Sequence, residues 1–287
     1  MNNPETLIRN ISDTARWVAI YRAMENERPD AHLKDPFARR LAGTRGEEIV
    51  RSSEFLQKLA WPYTARTWLI DKIIKEHIAQ GYEMIINLAA GLDTRPYRME
   101  LPSSLLWVEI DLPGILSYKE EQLSGEKPRC RLDRIPLDLS DRRARNDVFE
   151  ALSLKPVKTL ILSEGLLIYL SPEEVRDLGH DLSHQGNFRR WALDLTSPGL
   201  KEMIAKNMDG MLENAGAPLR FAPTEGPGFF NTIGWNTVQI NSIIKTARHL
   251  NRLSFGLKLM SYLPESNGRQ GSRPWSAVCL FEKSFRE

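Results

Sequence analysis

Cysteine is scarce in this 287-residue sequence, which contains only Cys130 and Cys279. Both lie in apolar, strand-like stretches, and no CxxC pair or cysteine–histidine cluster has the spacing of a metal site. Two isolated cysteines suit a reducing compartment better than a disulfide framework, although they could still be neighbours in space. The sequence therefore predicts no metal site.

An excess of charge of one sign is lacking as well. Lysine and arginine number 39 against 37 aspartates and glutamates, which leaves a formal net charge of +2. The short basic clusters at residues 142–145 and 189–190 are typical of solvated faces rather than of a nucleic-acid groove. We therefore expect no nucleic-acid partner.

Long hydrophobic runs are also absent. The longest apolar stretch, Thr159 to Leu170, is interrupted by Glu164 and is too short to span a bilayer. The first twenty residues show no apolar segment of the kind found in signal peptides. These features predict a soluble, cytoplasmic protein without a membrane partner.

What the sequence does contain is a regular alternation of apolar strands and amphipathic helices. Such alternation predicts an α/β fold with a mainly parallel sheet covered on both faces. Helices are expected at residues 11–27, 47–59, 62–81, 114–123, 141–152, 172–182 and 243–250, and seven strands at residues 84–88, 105–110, 130–137, 157–162, 191–195, 237–240 and 276–281.

Two arginines of the helical front lie on faces that should pack inward. Arg22 falls on or beside the apolar side of the first helix, and Arg66 lies one turn before Ile70 on the apolar stripe of the third. An unpaired charge in such a place is costly, so we expect each arginine to need an anionic partner.

Polar or small residues follow the first four predicted strands. The turn from Asn87 to Arg95 is built of small residues that let a ligand approach the backbone, and Asp111 lies twenty positions beyond Gly91. A carboxylate at that spacing can accept both hydroxyls of a ribose. Asp138 with Leu139 could bind an adenine edge, and Glu164 places an acid in an apolar run. In a parallel sheet these ends face one crevice.

Each residue also has a purely structural explanation. Asp111 and Asp138 could cap the helices that follow them, and Glu164 could be a buried acid with its charge satisfied inside the protein. The four strand ends taken in order favour a ligand site over coincidence.

The turn itself distinguishes between cofactors. In the frame that starts at Ala89 the first and third glycines of a dinucleotide GxGxxG motif are missing, and Asp93 would repel a pyrophosphate. An oxidoreductase with a Rossmann-like sheet is therefore the weaker interpretation. A cofactor that carries an ammonium and a sulfonium suits the turn better.

Four stretches resemble the leucine carboxyl methyltransferase family of class I S-adenosylmethionine-dependent methyltransferases. The front segment is similar to bacterial members that include polyketide O-methyltransferases, and Phe229-Phe230 and Gly234-Trp235 continue the likeness. The stretches are Ala65-Arg-Thr-Trp-Leu-Ile-Asp71, Asn87-Leu-Ala-Ala-Gly-Leu-Asp-Thr-Arg-Pro-Tyr-Arg98, Glu109-Ile-Asp-Leu-Pro113 and Ser163-Glu-Gly-Leu-Leu-Ile-Tyr-Leu170.

The resemblance implies a Rossmann-like methyltransferase sheet of about seven strands, with S-adenosylmethionine as the cofactor. It divides the domain into a helical cap at 1–80, a cofactor-binding core at 81–200, a lid insertion at 201–235 and closing strands at 236–287.

It also implies residue roles: Arg66 for the methionine carboxylate with Arg22 as a second partner, Gly91 for the methionine, Asp111 with Leu112 for the ribose region, Asp138 with Leu139 for the adenine, and Glu164 for the amino end. Ala89 departs from the glycine of many members, which we expect to do little harm.

The methyl acceptor is the least defined part of the prediction. A carboxylate acceptor needs no general base, whereas a phenol or alcohol does, and His180, His184, Tyr169 and Tyr262 are only weak candidates for a base. A carboxylate of a small molecule is thus favoured over a hydroxyl or a protein C-terminus. A non-catalytic regulator that keeps the cofactor site stays possible, and the sequence does not determine the oligomeric state. Candidate pocket residues are Trp17, Tyr21, Tyr169, Phe229 and Phe230.

Overall fold

One mixed sheet of seven strands organises the computed structural model, which describes residue 8 and residues 11–208, 210–265 and 270–284. The strand order is β3-β2-β1-β4-β5-β7-β6. Strands β1 to β5 pair in parallel, while β7 runs antiparallel between β5 and β6. The strands are β1 (Met84–Leu88), β2 (Leu106–Asp111), β3 (Arg131–Pro136), β4 (Thr159–Ser163), β5 (Phe188–Thr196), β6 (Trp235–Ser242) and β7 (Ser276–Lys283).

Helices cover both faces of this sheet and cap its carboxyl edge. The predicted α/β fold with a mostly parallel seven-stranded sheet is confirmed, and the predicted front helix and crossover helices are present. The helices are α1 (Ile11–Asn26), α2 (Ala38–Arg51), α3 (Glu54–Gln57), α4 (Ala60–Ala79), α5 (Arg95–Arg98), α6 (Pro113–Gln122), α7 (Arg142–Ser153), α8 (Pro172–Ser183), α9 (Pro198–Asn207), α10 (Met211–Asn214), α11 (Ile243–His249) and α12 (Phe255–Met260).

Strand β1 shows how the apolar pattern builds two cores at once. All five of its residues are buried, and alternate side chains point to opposite faces. Met84, Ile86 and Leu88 join a core with α7 and α8, whereas Ile85 joins a core with α4 and α11. A wholly apolar strand is therefore what a sheet covered on both faces requires.

The front helices form a third apolar cluster against the end of the sheet. Helices α1 and α2 cross closely, since a Cβ at Gly46 would lie 2.9 Å from the backbone oxygen of Arg16. The prediction of a helix at 47–59 is wrong in its bounds. The first helical stretch begins at Ala38 and kinks at Gly43, and α3 starts anew after Ser53, whose side chain accepts a hydrogen bond from the N–H of Phe55.

The aromatic segment before β6 is not a loop over the ligand. Residues Gly226–Ile233 form a 3-10 helix, and Phe229 and Phe230 are buried in the core on one face of the sheet. Phe230 contacts Trp191 edge to face, with the ring centroids 5.4 Å apart. The prediction that Phe229 and Phe230 line a substrate pocket is wrong, because burying these rings against the sheet stabilises more than exposing them at a lid would.

No helix in the described parts of the chain is long and apolar enough to cross a membrane. Both cysteines are buried and free.

Candidate functional site

A cavity of about 530 Å³ opens at the carboxyl ends of the parallel strands. Its size and place are those of a small-molecule site in an open α/β sheet. All nine residues predicted for the cofactor line this one cavity: Arg22, Arg66, Ala89, Gly91, Asp111, Leu112, Asp138, Leu139 and Glu164.

The turn after β1 is joined to the end of β2 by the Asp111 carboxylate. Its Oδ2 accepts the N–H of Gly91 at 2.6 Å and its Oδ1 accepts the N–H of Leu112 at 2.7 Å. Burial raises the pKa of Asp111, although these two N–H donors lower it. Asp111 is not the cap of the next helix, because Leu112 occupies the N-cap position of α6 and Asp111 bonds no N–H inside that helix.

Ala89 and Gly91 both adopt left-handed backbone conformations, with φ of 52° and 48°. A side chain rarely adopts such a conformation, and it strains an alanine by about 1 kcal/mol. The expectation that Ala89 does little harm is therefore wrong in detail, since a glycine at this position would relieve the strain.

Asp138 and Leu139 lie at the far end of the cavity after β3. The Oδ1 of Asp138 accepts the N–H of Ser140 at 2.9 Å, and the carbonyl of Leu139 accepts from Arg145 at 2.7 Å. The capping alternative for Asp138 is wrong, because Asp141 caps α7 by accepting the N–H of Ala144. Asp138 is solvent-exposed and Leu139 is half-buried, so both are accessible from the cavity.

Arg66 lies between two acids at the opposite end. Its Nε donates to Glu164 at 2.9 Å and its Nη1 donates to Asp194 at 2.9 Å. Asp194 also accepts the N–H of Gly165 at 2.6 Å, which holds the turn after β4 against the end of β5. The two acids leave further guanidinium N–H donors of Arg66 available at the cavity.

A second buried arginine links this pair to the turn after β1. Arg95 forms ion pairs with Asp71 at 2.6 Å, Asp93 at 2.7 Å and Glu164 at 2.8 Å. Burial alone would raise the pKa of Glu164, but Arg95 and Arg66 hold it below its usual range. The pKa of Asp93 is held well below its usual range in the same way, against the effect of burial, mainly by Arg95.

These groups form a continuous charged cluster of three arginines and four carboxylates, with one net negative charge. The alternative in which Glu164 is a buried acid satisfied within the protein holds, and the same side chain still lines the cavity. The members of the charged cluster are Arg66, Arg95, Arg98, Asp71, Asp93, Glu164 and Asp194.

Arg22 is also paired within the protein. Its Nε donates to Asp35 at 2.8 Å and its Nη2 donates to the carbonyl of Leu92 at 2.6 Å. The anionic partner expected for each of these arginines is therefore supplied by acids of the protein itself, Asp35 for Arg22 and Glu164 with Asp194 for Arg66. Each arginine nevertheless lines the cavity.

Hydroxyl groups line the part of the cavity nearest Arg66. Tyr169 shares a side-chain hydrogen bond with Thr14, and the ring of Tyr63 lies 5.0 Å from the guanidinium carbon of Arg66. Burial raises the pKa of both Tyr63 and Tyr169. Both phenols therefore keep their protons at neutral pH, so each hydroxyl can donate a hydrogen bond.

The remaining candidates for the substrate pocket do not all line the cavity. Trp17 and Tyr169 line the cavity as predicted. Tyr21 lies behind it, fully buried, with its hydroxyl donating to the carbonyl of Leu56 at 2.7 Å and its ring stacked on Tyr63. The prediction for Tyr21 is wrong because Leu56 and Tyr63 cover the face of α1 one turn beyond Trp17 and close it off from the cavity.

The other candidates for a general base lie outside the cavity. His180 and His184 are on α8 and at its end, and Tyr262 is 67% exposed over Arg248. The described residues that line the cavity include none of these three.

Sequence reasoning missed Asp194, Arg95 and Tyr63. Asp194 had a visible signal, since it is an acid inside the otherwise apolar strand Trp191-Ala-Leu-Asp-Leu195, but only the first four strand ends were considered. Arg95 lay within a recognised motif without a role of its own.

Comparison with known proteins identifies the family of this chain. The family model described as Leucine carboxyl methyltransferase matches residues 15–182, more than half of the chain. A protein from Saccharopolyspora erythraea, named as an S-adenosyl-L-methionine-dependent methyltransferase, is 28% identical over 230 residues, which cover 76% of this chain and 79% of that protein. A protein of the same description from Streptomyces coelicolor is 30% identical over 207 residues, covering 67% of this chain and 71% of that one.

Two solved structures show the same fold. One, from Thermobifida fusca and described as a methyltransferase, superposes with a TM-score of 0.58 at 14% identity and covers 98% of this chain and 97% of that one. The other, a DUF574 family protein from Streptomyces avermitilis, has a TM-score of 0.57 at 12% identity and covers 94% and 97%. The predicted Rossmann-like, class I methyltransferase fold is confirmed.

Proposed function

We propose that this chain, which belongs to the leucine carboxyl methyltransferase family and is an S-adenosylmethionine-dependent methyltransferase, methylates the carboxylate of a small molecule. The observation that carries the choice of acceptor is the group of protonated hydroxyls, Thr14, Tyr63 and Tyr169, beside the Arg66 cation. Hydroxyl donors next to a cation bind and orient an anion. Deprotonating an alcohol would require a proton acceptor, and the nearest carboxylates, Glu164 and Asp194, are engaged in ion pairs with Arg66.

The cofactor is proposed to lie along the strand ends with its adenosine towards β2 and β3. Asp111 would accept the ribose hydroxyls, since each of its oxygens uses one lone pair on a backbone N–H and retains another. Asp138 would bind the adenine edge, and Leu112 and Leu139 would cover its faces, as both line the cavity.

The amino-acid end of the cofactor is proposed to lie against the charged cluster. The unused N–H groups of Arg66 would hold the carboxylate, with Arg22 as a second cation, and Glu164 would accept from the ammonium. Ala89 and Gly91 would let the methionine chain pass close to the backbone. A cofactor with one net positive charge matches the one net negative charge of the cluster.

The reaction itself is an in-line displacement. An oxygen of the acceptor carboxylate forms a bond to the methyl carbon as the bond from carbon to sulfur breaks, and the bonding electron pair stays on sulfur as a neutral thioether. No proton is transferred, so the protein supplies proximity, alignment and exclusion of water, which are worth effective molarities of roughly 10⁵ M or more.

The acceptor proposal is tested with labelled S-adenosylmethionine and panels of carboxylic acids, phenols, alcohols and peptides with free C-termini. We expect a base-labile methyl ester from a small acid, with kcat/KM flat between about pH 6 and 9, since a carboxyl group of pKa about 4 is already ionised there. A base-stable product from a phenol or alcohol, or a rate that rises with a single pKa in this window, would show hydroxyl chemistry instead. Preferential labelling of peptide ends would show a protein acceptor.

The cofactor assignment is tested by calorimetry on Asp111→Asn. We expect S-adenosylmethionine binding to weaken tenfold or more, about 1.4 kcal/mol, because an amide cannot accept from both ribose hydroxyls. Asp133→Asn is the matched control, since Asp133 is an exposed carboxylate on β3 outside the cavity lining. Equal affinities in both variants and the parent would contradict the assignment of Asp111.

A further inference from the structure

One face of α9 lines the cavity with apolar side chains that the described part of the chain leaves half-covered. Leu200, Met203 and Ile204 follow the i, i+3, i+4 spacing that places three side chains on one side of a helix, and all three line the cavity. Met203 is 38% exposed even so, and Gly199 is the one fully buried residue among those described for α9. Apolar surface of this kind gains stability when a ligand covers it.

A second apolar wall comes from the corner between α3 and α4. Phe55, Leu59 and Trp61 line the same cavity and are half-buried. Phe55, Leu59 and Ile204 pack against one apolar cluster, which also contains Trp17 and Leu212. The two walls therefore belong to one continuous apolar lining.

The charged lining residues are segregated from these walls. Helices α3, α9 and α10 contribute to the lining only Phe55, Leu200, Met203, Ile204 and Leu212 among the described residues. The charged cluster lies on α4, on α5 with the turn before it, after β4 and on β5, and the hydroxyls of Thr14, Tyr63 and Tyr169 lie in the first turns of α1 and α4 and in the segment between β4 and α8. An acceptor that fills both parts has an anionic head and an extended apolar body.

We infer that the acceptor is a monocarboxylic acid with an extended alkyl or aryl body, bound with the body between α9 and the α3–α4 corner. This inference rests on the proposed carboxylate methylation and adds the nature of the rest of the substrate. The acceptor carboxylate lies at the hydroxyls of Thr14, Tyr63 and Tyr169, while the N–H groups of Arg66 hold the methionine carboxylate of the cofactor. The apolar body covers Met203 and its neighbours, which accounts for apolar side chains that the described residues leave partly exposed.

The test measures methyl-ester formation on butanoate, hexanoate, octanoate, decanoate and 3-phenylpropanoate, together with a short peptide that has a free C-terminus. We expect kcat/KM to rise roughly fourfold for each methylene that becomes buried, until the apolar walls are filled. Met203→Asn should lower the ratio of kcat/KM for decanoate to that for butanoate by about tenfold. Met260→Asn is the matched control, because Met260 is a 57% exposed methionine on α12 outside the cavity lining, and it should leave this ratio at the parent value.

Carboxylate methylation and the apolar body of the acceptor give different outcomes in these measurements. Ester formation that is equal across the acids, or fastest with the peptide, would overturn the apolar-body inference while carboxylate methylation stands. Labelling of hydroxyl compounds without any ester would overturn the proposed function and this inference together. Calorimetry of the same acids on the complex with S-adenosylhomocysteine gives a readout independent of turnover, and affinity that does not increase with chain length would overturn the inference.

Discussion

Two parts of the cavity lining differ in chemistry. The part that we propose for the amino-acid group of the cofactor, the cofactor end, is a network of buried ion pairs in which Arg95 alone binds Asp71, Asp93 and Glu164. The part that we propose for the acceptor, the acceptor end, consists of short helices with apolar side chains, of which α9 is held at its first residues. Ser197 caps α9 by accepting the N–H of Leu200, and its hydroxyl donates to the carbonyl of Arg273 at 2.8 Å.

The ion-pair network must keep one geometry, whereas the apolar helices select a ligand by its shape. Buried charges tolerate few arrangements, because each loses several kcal/mol when its partner moves away. Apolar walls accept any surface of the right size, since the hydrophobic effect has no direction. A methyltransferase scaffold can therefore keep its cofactor end and change its acceptor through substitutions in α3, α9 and α10.

The largest effect is expected from Arg95→Met. The methionine keeps most of the volume but leaves Asp93 without its ion-pair partner and takes one of two arginines from Asp71 and from Glu164, which should lower the free energy of unfolding by about 3–5 kcal/mol. Urea denaturation measures the change. Arg51→Met is the control, because Arg51 has a 74% exposed side chain paired with Glu47 and should change stability by less than about 0.5 kcal/mol.

A loss below about 1 kcal/mol for Arg95→Met would mean that water screens the cluster as it screens a surface pair. The contrast between the two ends of the cavity would then not hold.

The next effect is expected at the base of α9, from Gly199→Ala. A Cβ there would collide with the backbone carbonyl of Ser272, so we expect a loss of about 1–3 kcal/mol and a displaced α9. Because α9 lies at the acceptor end, KM for the acceptor should rise more than the Kd of the cofactor. Gly256→Ala is matched as the second residue of α12, with no described atom within 4 Å of its added Cβ, and should be neutral or stabilising by up to about 1 kcal/mol.

If Gly199→Ala weakened cofactor binding as much as it raised KM for the acceptor, the two ends would be mechanically coupled rather than separate. Calorimetry with S-adenosylmethionine and steady-state kinetics on one ester-forming acid distinguish the two outcomes.

The smallest effect is expected from Ala89→Gly in the turn of the cofactor end. Relief of the left-handed strain outweighs the greater freedom of glycine in the unfolded chain, so stability should rise by about 0.5 kcal/mol. Ala90→Gly is the control, since Ala90 has no positive φ and should lose about 0.5–1 kcal/mol through the greater freedom of glycine in the unfolded chain. Thermal unfolding of both variants measures the difference, and a loss of equal size in both would show that Ala89 is not strained.

The sequence was most informative where local pattern and chemistry coincide. The apolar five-residue strands β1 and β4, the small-residue turn after β1 and the acid at the end of β2 followed from hydrophobicity and spacing. Asp111 was correctly placed at the cavity because the direction of parallel strands brings their carboxyl ends to one edge. Phe229 and Phe230 were misplaced because an aromatic residue between glycines and prolines gives no sign of whether it covers a ligand or the sheet.

By itself, the sequence determined an α/β sheet and the polar or small residues that follow each of its first four strands. Through its family likeness it also determined the cofactor. These are local properties, since each strand and the turn after it lie within about ten residues. The tertiary structure alone decided that Arg66 binds Asp194, which lies 128 residues further along the chain, and that Tyr21 points into the core. Ion pairs and side-chain directions between distant elements depend on how helices and sheet pack, and no short stretch of sequence contains that information.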